Sequence, residues 1–262
     1  MSDTEPLKIV ALSVVIPAYN EARRLPPYLQ SVAAYLNGRG LSHEILVVDD
    51  GSSDETAALV EEAGRLHGPI RLIRLPRNRG KGAAVRAGMR AARGGLQLFA
   101  DADGATPIGE LERLEAAVNN GADIAIGSRT LASRDSRYRV KARLHRTLLG
   151  NLFNRVVRLL GVGGIHDTQC GFKLFRKAVA QDLFSVARID GYGFDLELLY
   201  LARQRGYRIA EVPINWADQP GSKVRVLSDG LGMLGEMLAI RRNHRRGLYS
   251  VRQPTPVSVH RS

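Results

Sequence analysis

The first 130 residues alternate short apolar runs with stretches of helical period, and this alternation limits the fold more than any other feature of the chain. The runs "IVALSVVIP" (9–17), "EILVVDD" (44–50), "IRLIRL" (70–75), "LQLFA" (96–100) and "DIAIGSR" (123–129) read as strands. Between them, "LPPYLQSVAAYL" (25–36), "DETAALVEEAGRL" (54–66), "GKGAAVRAGMRAA" (80–92) and "PIGELERLEAAVNN" (107–120) read as helices. Ser53 or Asp54 is placed to cap the second helix, and Asn120–Gly121 to stop the fourth. Strands that alternate with helices imply parallel crossovers and a sheet covered on both faces. Ligands of such sheets bind beyond the carboxyl ends of the strands. Here those ends carry "PAYNE", "DDGSSD", "PRNRGKG", "DADGAT" and "GSR". Turns are commonly polar and glycine-rich, but that does not account for carboxylates at the ends of two separate strands.

The second half is less regular. In "VKARLHRTLLGNLFNRVVRLLG" (140–161), Leu144, Leu148, Leu152, Val156 and Leu160 share one helical face, with Arg143, Arg146, Arg155 and Arg158 among the rest. From Val224 to Arg246, Leu227, Leu231, Leu234 and Leu238 recur at helical spacing before "RRNHRR". No run of 18 apolar residues suggests a membrane-spanning helix. "MSDTEPLK" has no apolar stretch of a signal peptide. The single Cys170 cannot form an intrachain disulfide, which fits a reducing compartment. The formal net charge is +12, and Arg241, Arg242, Arg245, Arg246, Arg252 and Arg261 all follow the last acid, Glu236. Such an end suits anionic lipid, nucleic acid or plain solvent. The chain offers no nucleic-acid recognition motif, so no nucleic-acid partner is expected.

Asp101 and Asp103, separated by one small residue at a strand end, form a pair able to hold Mg²⁺ or Mn²⁺ and leave coordination positions for the oxygens of a diphosphate. A haloacid-dehalogenase-type phosphatase would need threonine where Ala105 stands, and its loop follows the first strand, not the fourth. A nicotinamide dehydrogenase would need a glycine-rich turn where "PAYNEA" stands. "GKGAAVRAG" lacks that spacing and looks like a helix N-terminus offering N–H groups and Lys81 to an anion.

In order, "VVIPAYNE", "VVDDGSSDET", "NRGKGAAVRAG", "ADADG" and "GSR" resemble the family 2 glycosyltransferases. "DTQCGFKLF", "FDLELLYLA", "EVPINW" and "GSKV" narrow the resemblance to polyprenyl-phosphate (dolichyl-phosphate) hexosyltransferases, and "ADADGAT" with "NW" before "GSK" leans to the glucosyl branch. The resemblance spans about residues 10–235 and implies an α/β GT-A fold: a Rossmann-like, mostly parallel sheet flanked by helices, with amphipathic C-terminal helices. It divides the chain into a glycosyltransferase domain over 1–235, with a nucleotide-sugar half at about 10–130 and an acceptor half at about 131–235, and a basic tail over 236–262. The implied reaction is inverting, metal-dependent transfer of a hexose from UDP-glucose to a polyprenyl phosphate. GDP-mannose, UDP-N-acetylglucosamine and a soluble acceptor are the alternatives.

Carried over by motif, Pro17, Tyr19 and Glu21 line the nucleotide pocket, and Val48 and Asp50 lie at the base and ribose. Asp101 and Asp103 hold the metal, Ala102 gives a backbone contact, and Arg129 and Lys223 meet phosphates. Where the mannosyl branch often carries an arginine before "GSK", this chain reads "NWADQP", so Lys173 or an interface arginine would replace that contact. Charge developing on the leaving nucleotide is stabilised by the metal with Arg129 or Lys223. A phosphomonoester acceptor, with its second pKa near ~6, is already nucleophilic at neutral pH. It needs positioning by Arg143 and Arg146 more than it needs a base. An alcohol acceptor would need one, and Asp195 or Glu197 would serve, unless they only start a helix. His166 and Cys170 are expected to be structural, and Trp216 to be a packed aromatic at a strand end. A membrane-borne acceptor, with no spanning helix, implies a peripheral protein on the cytoplasmic membrane face, docked by apolar helix faces bordered with arginine.

Overall fold

The computed structural model describes residues 10–141, 164–220 and 226–250. The elements run β1 (Leu12–Ala18), α1 (Leu25–Gly38), β2 (His43–Asp49), α2 (Thr56–His67), β3 (Ile70–Arg74), α3 (Lys81–Ala91), β4 (Leu96–Ala100), α4 (Leu111–Asn119), β5 (Ile124–Ser128) and α5 (Arg129–Ala132). They continue with β6 (Val140–Lys141), β7 (Phe172–Arg176), α6 (Lys177–Val186), α7 (Phe194–Gln204), β8 (Ile209–Pro213), β9 (Trp216–Ala217) and α8 (Val226–Arg245). All five strands and four helices expected in the first half are present. The N-cap of α2 is Glu55, with no side-chain capping bond, not Ser53 or Asp54. Asp54 instead accepts the N–H of Thr56 at 3.0 Å, and Gly121 takes φ +102° just after α4.

Seven strands form the main sheet in the order β3-β2-β1-β4-β7-β5-β8. All pairings are parallel except those of β7, which is antiparallel to both β4 and β5. This is the α/β, mostly parallel arrangement expected. Because β7 runs backwards, its first residue, Phe172, pairs with Ala100, the last residue of β4. The segment leading into β7 therefore lies beside the "DADG" turn. Successive strand residues alternate faces, as the pleat requires. Val15 and Phe99 join a core with α3, α6, α7 and α8, whereas Val14, Ile16, Leu98 and Ala100 join one with α1 and α4. A second, two-stranded sheet pairs Val140 with Trp216.

In the C-terminal helix, Met233, Met237 and Ile240 are the residues buried, while Leu234 and Leu238 of the leucine stripe are 39% and 70% exposed. Both stripes have helical spacing, and the sheet side of the molecule selects the methionine one. The helix also runs through the expected boundary at 235/236, and Tyr249 is buried against the core, so residues 236–249 pack with the body of the protein. Most of the arginine-bordered segment 140–161, including Arg143 and Arg146, lies outside the described residues, as does Lys223.

Candidate active site

The "DADG" turn closes β4 at the carboxyl edge of the sheet. Gly104 holds φ +66°, where a Cβ would come within 3.0 Å of the Tyr28 ring, so a side chain here would meet both backbone strain and the ring. Asp103 Oδ1 accepts the N–H of Ala105 at 3.0 Å, and its Oδ2 lies 3.9 Å from the Arg24 guanidinium. Burial and the neighbouring Asp101 push the Asp103 carboxyl above its ordinary range. Ala102 between them is buried in the core.

Lys81, the first residue of α3, places its Nζ 2.7 Å from Asp101 Oδ1. Burial would lower its pKa, but Asp101 and Asp195 outweigh that and raise it, so Lys81 is a fixed cation. Asp101 is pinned from the other side by β7: its N–H donates to the carbonyl of Gly171 at 2.9 Å. Below, Lys173 is fully buried, donating to Asp195 Oδ1 at 2.5 Å and to the Cys170 carbonyl at 2.6 Å. Both ammonium groups face the Phe99 ring, Lys81 at 5.5 Å and Lys173 at 5.9 Å from its centroid.

Arg129 follows β5. It donates from its backbone N–H and Nε to Asp167 Oδ2, both at 2.8 Å, and from a terminal nitrogen to Oδ1 at 2.7 Å. Burial would raise the Asp167 carboxyl, but Arg129 holds it below the usual range. The guanidinium also stacks 5.3 Å from the Trp216 ring centroid. A bidentate pair on an aromatic face gives Arg129 a set orientation. Glu211 fixes the loop that presents Asp167, accepting the backbone N–H groups of His166 and Asp167, both at 2.9 Å.

The expected site residues therefore fall into distinct groups. Asp101, Asp103, Lys81 and Arg129 converge on the carboxyl edge. Tyr19 is exposed, and Glu21 pairs with Arg24 at the start of α1. Pro17 is buried in β1 beside Val48 of β2. Val48 is fully buried in the core. Asp50 is engaged by the backbone, accepting N–H groups from Arg79 at 2.9 Å and Gly80 at 2.8 Å. Asp195, expected to act as a base only for an alcohol acceptor, is buried in its pair with Lys173. Lys173 is fully buried and so unavailable as a surface phosphate contact. Glu197 accepts the N–H groups of Arg188 and Ile189 and the Tyr249 hydroxyl, a structural set. Cys170 is buried, its thiol pushed up to about 12 chiefly by burial, as suits a structural residue. Sequence reasoning missed Asp167 as the partner of Arg129. The signal was "HDTQC", whose aspartate becomes meaningful once β7 is known to return to β4.

The family model described as "Glycosyl transferase family 2" matches residues 13–184. The chain is a family 2 glycosyltransferase. A dolichyl-phosphate beta-glucosyltransferase of Trichomonas vaginalis is 40% identical to it over 261 residues, covering 95% of this chain and 77% of that protein. That of Homo sapiens is 40% identical over 256 residues, covering 92% and 78%, and that of Saccharomyces cerevisiae is 35% identical over 256 residues, covering 92% and 77%. Among solved structures, glucosyl-3-phosphoglycerate synthase from Mycobacterium tuberculosis, in complex with Mn²⁺, UDP-glucose and phosphoglyceric acid, matches with a TM-score of 0.68 at 19% identity. The match covers 88% of this chain and 79% of that one. Mannosyl-3-phosphoglycerate synthase from Rubrobacter xylanophilus matches with a TM-score of 0.67 at 21% identity, covering 95% and 78%. These likenesses show that the glycosyltransferase has the GT-A fold.

Proposed function

We propose that this glycosyltransferase moves glucose from UDP-glucose to a dolichyl or related polyprenyl phosphate, with inversion, at a membrane face. The observation that carries the reading is about 40% identity over nearly the whole chain to dolichyl-phosphate beta-glucosyltransferases. The site agrees with it. Among the described residues no group of three or more His, Cys, Asp or Glu could hold a metal ion. The pair Asp101 and Asp103 alone suits a cation that completes its coordination with diphosphate oxygens and water, as Mg²⁺ and Mn²⁺ do. When bound there, such a cation neutralises charge on the departing diphosphate.

The chain's own groups do the rest. Lys81 orients Asp101 and adds positive charge beside the donor. Arg129, held by Asp167 and Trp216, points a set cation at the phosphate that leaves or the one that attacks. Asp195 is neutralised by Lys173, and a phosphate acceptor needs no base from it. No helix among the described residues is long and apolar enough to cross a membrane. The exposed stripe of α8, Leu234 and Leu238 followed by Arg241 and Arg245, supplies apolar area and positive charge for peripheral docking on anionic lipid. The test is a donor panel of UDP-glucose, UDP-N-acetylglucosamine and GDP-mannose. Each is offered with a short polyprenyl phosphate or with 3-phosphoglycerate, and label is followed into the lipid extract. Transfer of glucose from UDP-glucose into lipid is expected. Preference for GDP-mannose, or for the soluble phosphate ester, overturns the reading.

A further inference from the structure

We infer that Glu236, on the C-terminal helix α8, is a positioning residue for the donor site, holding the Lys81 turn against Asp101 through the loop 188–193. The inference rests on the reading of Lys81 and Asp101 as donor-binding residues. Both the loop and α8 lie beyond residues 13–184 matched by the family model, so nothing in that match assigns them a part in the site.

The loop is held at both ends by carboxylates from helices. At its start, Glu197 of α7 accepts the N–H groups of Arg188 and Ile189, each at 2.9 Å. At its end, Glu236 accepts the N–H of Gly193 at 2.7 Å and that of Gly191. Between these anchors, Asp190 presses on the first turn of α3. Its carbonyl accepts the N–H of Ala83 at 3.2 Å, and its carboxylate pairs with Arg79 at 3.1 Å and with Arg86.

The contact is backbone on backbone, with no slack. A Cβ on Gly80 would lie 2.5 Å from the Asp190 carbonyl oxygen, and one on Gly82 2.5 Å from that of Ile189. Added at Gly191 or Gly193, a Cβ would lie 2.1 or 2.7 Å from a carboxylate oxygen of Glu236. On the opposite side, Asp50 accepts the N–H groups of Arg79 and Gly80. Lys81, between Gly80 and Gly82, is thus gripped from two directions, and its ammonium reaches Asp101 at 2.7 Å. Shift the loop and Lys81 shifts with it. A glutamine at 236 could accept only through its one oxygen, and its amide would turn an N–H toward one of the two N–H donors.

The experiment is calorimetric titration of UDP in the presence of Mn²⁺ against the full chain, Glu236→Gln, Lys81→Met and the double variant. Glu236→Gln should weaken UDP binding about fivefold to tenfold, the scale of one well-placed hydrogen bond, with a melting temperature close to the parent's. In the Lys81→Met background the same change should add less than about twofold, because a residue acting through Lys81 has nothing left to position. A merely structural role would instead multiply the two effects. Unchanged affinity in Glu236→Gln, or multiplied effects in the double variant, overturns the inference. Unchanged affinity in Lys81→Met overturns the donor-site reading beneath it, and the inference with it. Should Glu236→Gln fail to fold, Gly193→Ala displaces the same carboxylate without removing its charge and should give the same pattern.

Discussion

Replacing Gly171 by alanine would drive a methyl group into the Asp101 carboxylate. The added Cβ would lie 1.9 Å from Oδ2, 2.2 Å from Cγ and 2.4 Å from Oδ1. Gly171 is not among the glycines with positive φ, so its backbone suits alanine and the whole effect is steric. Real Cβ contacts stay beyond about 3.0 Å, so the carboxylate must retreat by about 1 Å. The backbone cannot yield instead, because the Asp101 N–H bonds to the Gly171 carbonyl and the register continues into Ala100 and Phe172, both fully buried. The 2.7 Å contact with Lys81 is then lost or badly bent. A misplacement of about 1 Å at a reacting centre costs about 100-fold in rate, and overpacking costs about 1–3 kcal/mol of stability. For a chain of this size that is a fall in melting temperature of several degrees. The assay is steady-state transfer from UDP-glucose, with thermal melting alongside. Folded Gly171→Ala should show kcat/KM reduced about 100-fold, and combining it with Asp101→Ala should bring no further loss beyond Asp101→Ala alone. A folded variant within threefold of the parent would refute the claim that Gly171 sets the Asp101 carboxylate.

Asp103→Asn should abolish metal-dependent UDP binding yet raise the melting temperature of the metal-free protein at neutral pH. Burial and Asp101 raise the folded-state pKa of Asp103 above its ordinary 3.8. The ionised group therefore costs stability at pH values above the folded pKa, and that cost disappears as pH falls below the unfolded value. A melting scan across pH with chelator present checks the sign. Asp167→Asn should leave Arg129 without its charge partner, costing about 1–3 kcal/mol and raising KM for the substrate whose phosphate Arg129 meets. Unchanged kinetics would remove Arg129 from the site. Changing Arg241, Arg242, Arg245 and Arg246 to Gln should reduce co-sedimentation with anionic liposomes, each arginine contributing about 1 kcal/mol near such a surface. Rising salt should reduce the parent's binding in the same way, and indifference to both would show these arginines to be solvated only.

The alternation of apolar runs and helical periods decided the first half of this protein outright. Every strand and helix expected there exists, because each follows from local pattern and from turn chemistry within a few residues. The pattern also put Asp101, Asp103, Lys81 and Arg129 on one edge, since parallel crossovers return every strand end to the same side. What the chain could not reveal locally is the direction of β7. A short apolar run such as "FKLFR" looks the same read either way, and only its antiparallel place between β4 and β5 brings Gly171 onto Asp101 and Asp167 onto Arg129. The Lys173–Asp195 pair spans 22 residues and the Arg129–Asp167 pair 38. No periodicity links such positions. In α8, leucine and methionine stripes of equal helical spacing competed for the core, and Met233, Met237 and Ile240 took it. Period alone says that a helix has an apolar face, but with two such faces on one helix, the neighbour that packs against it decides which is buried.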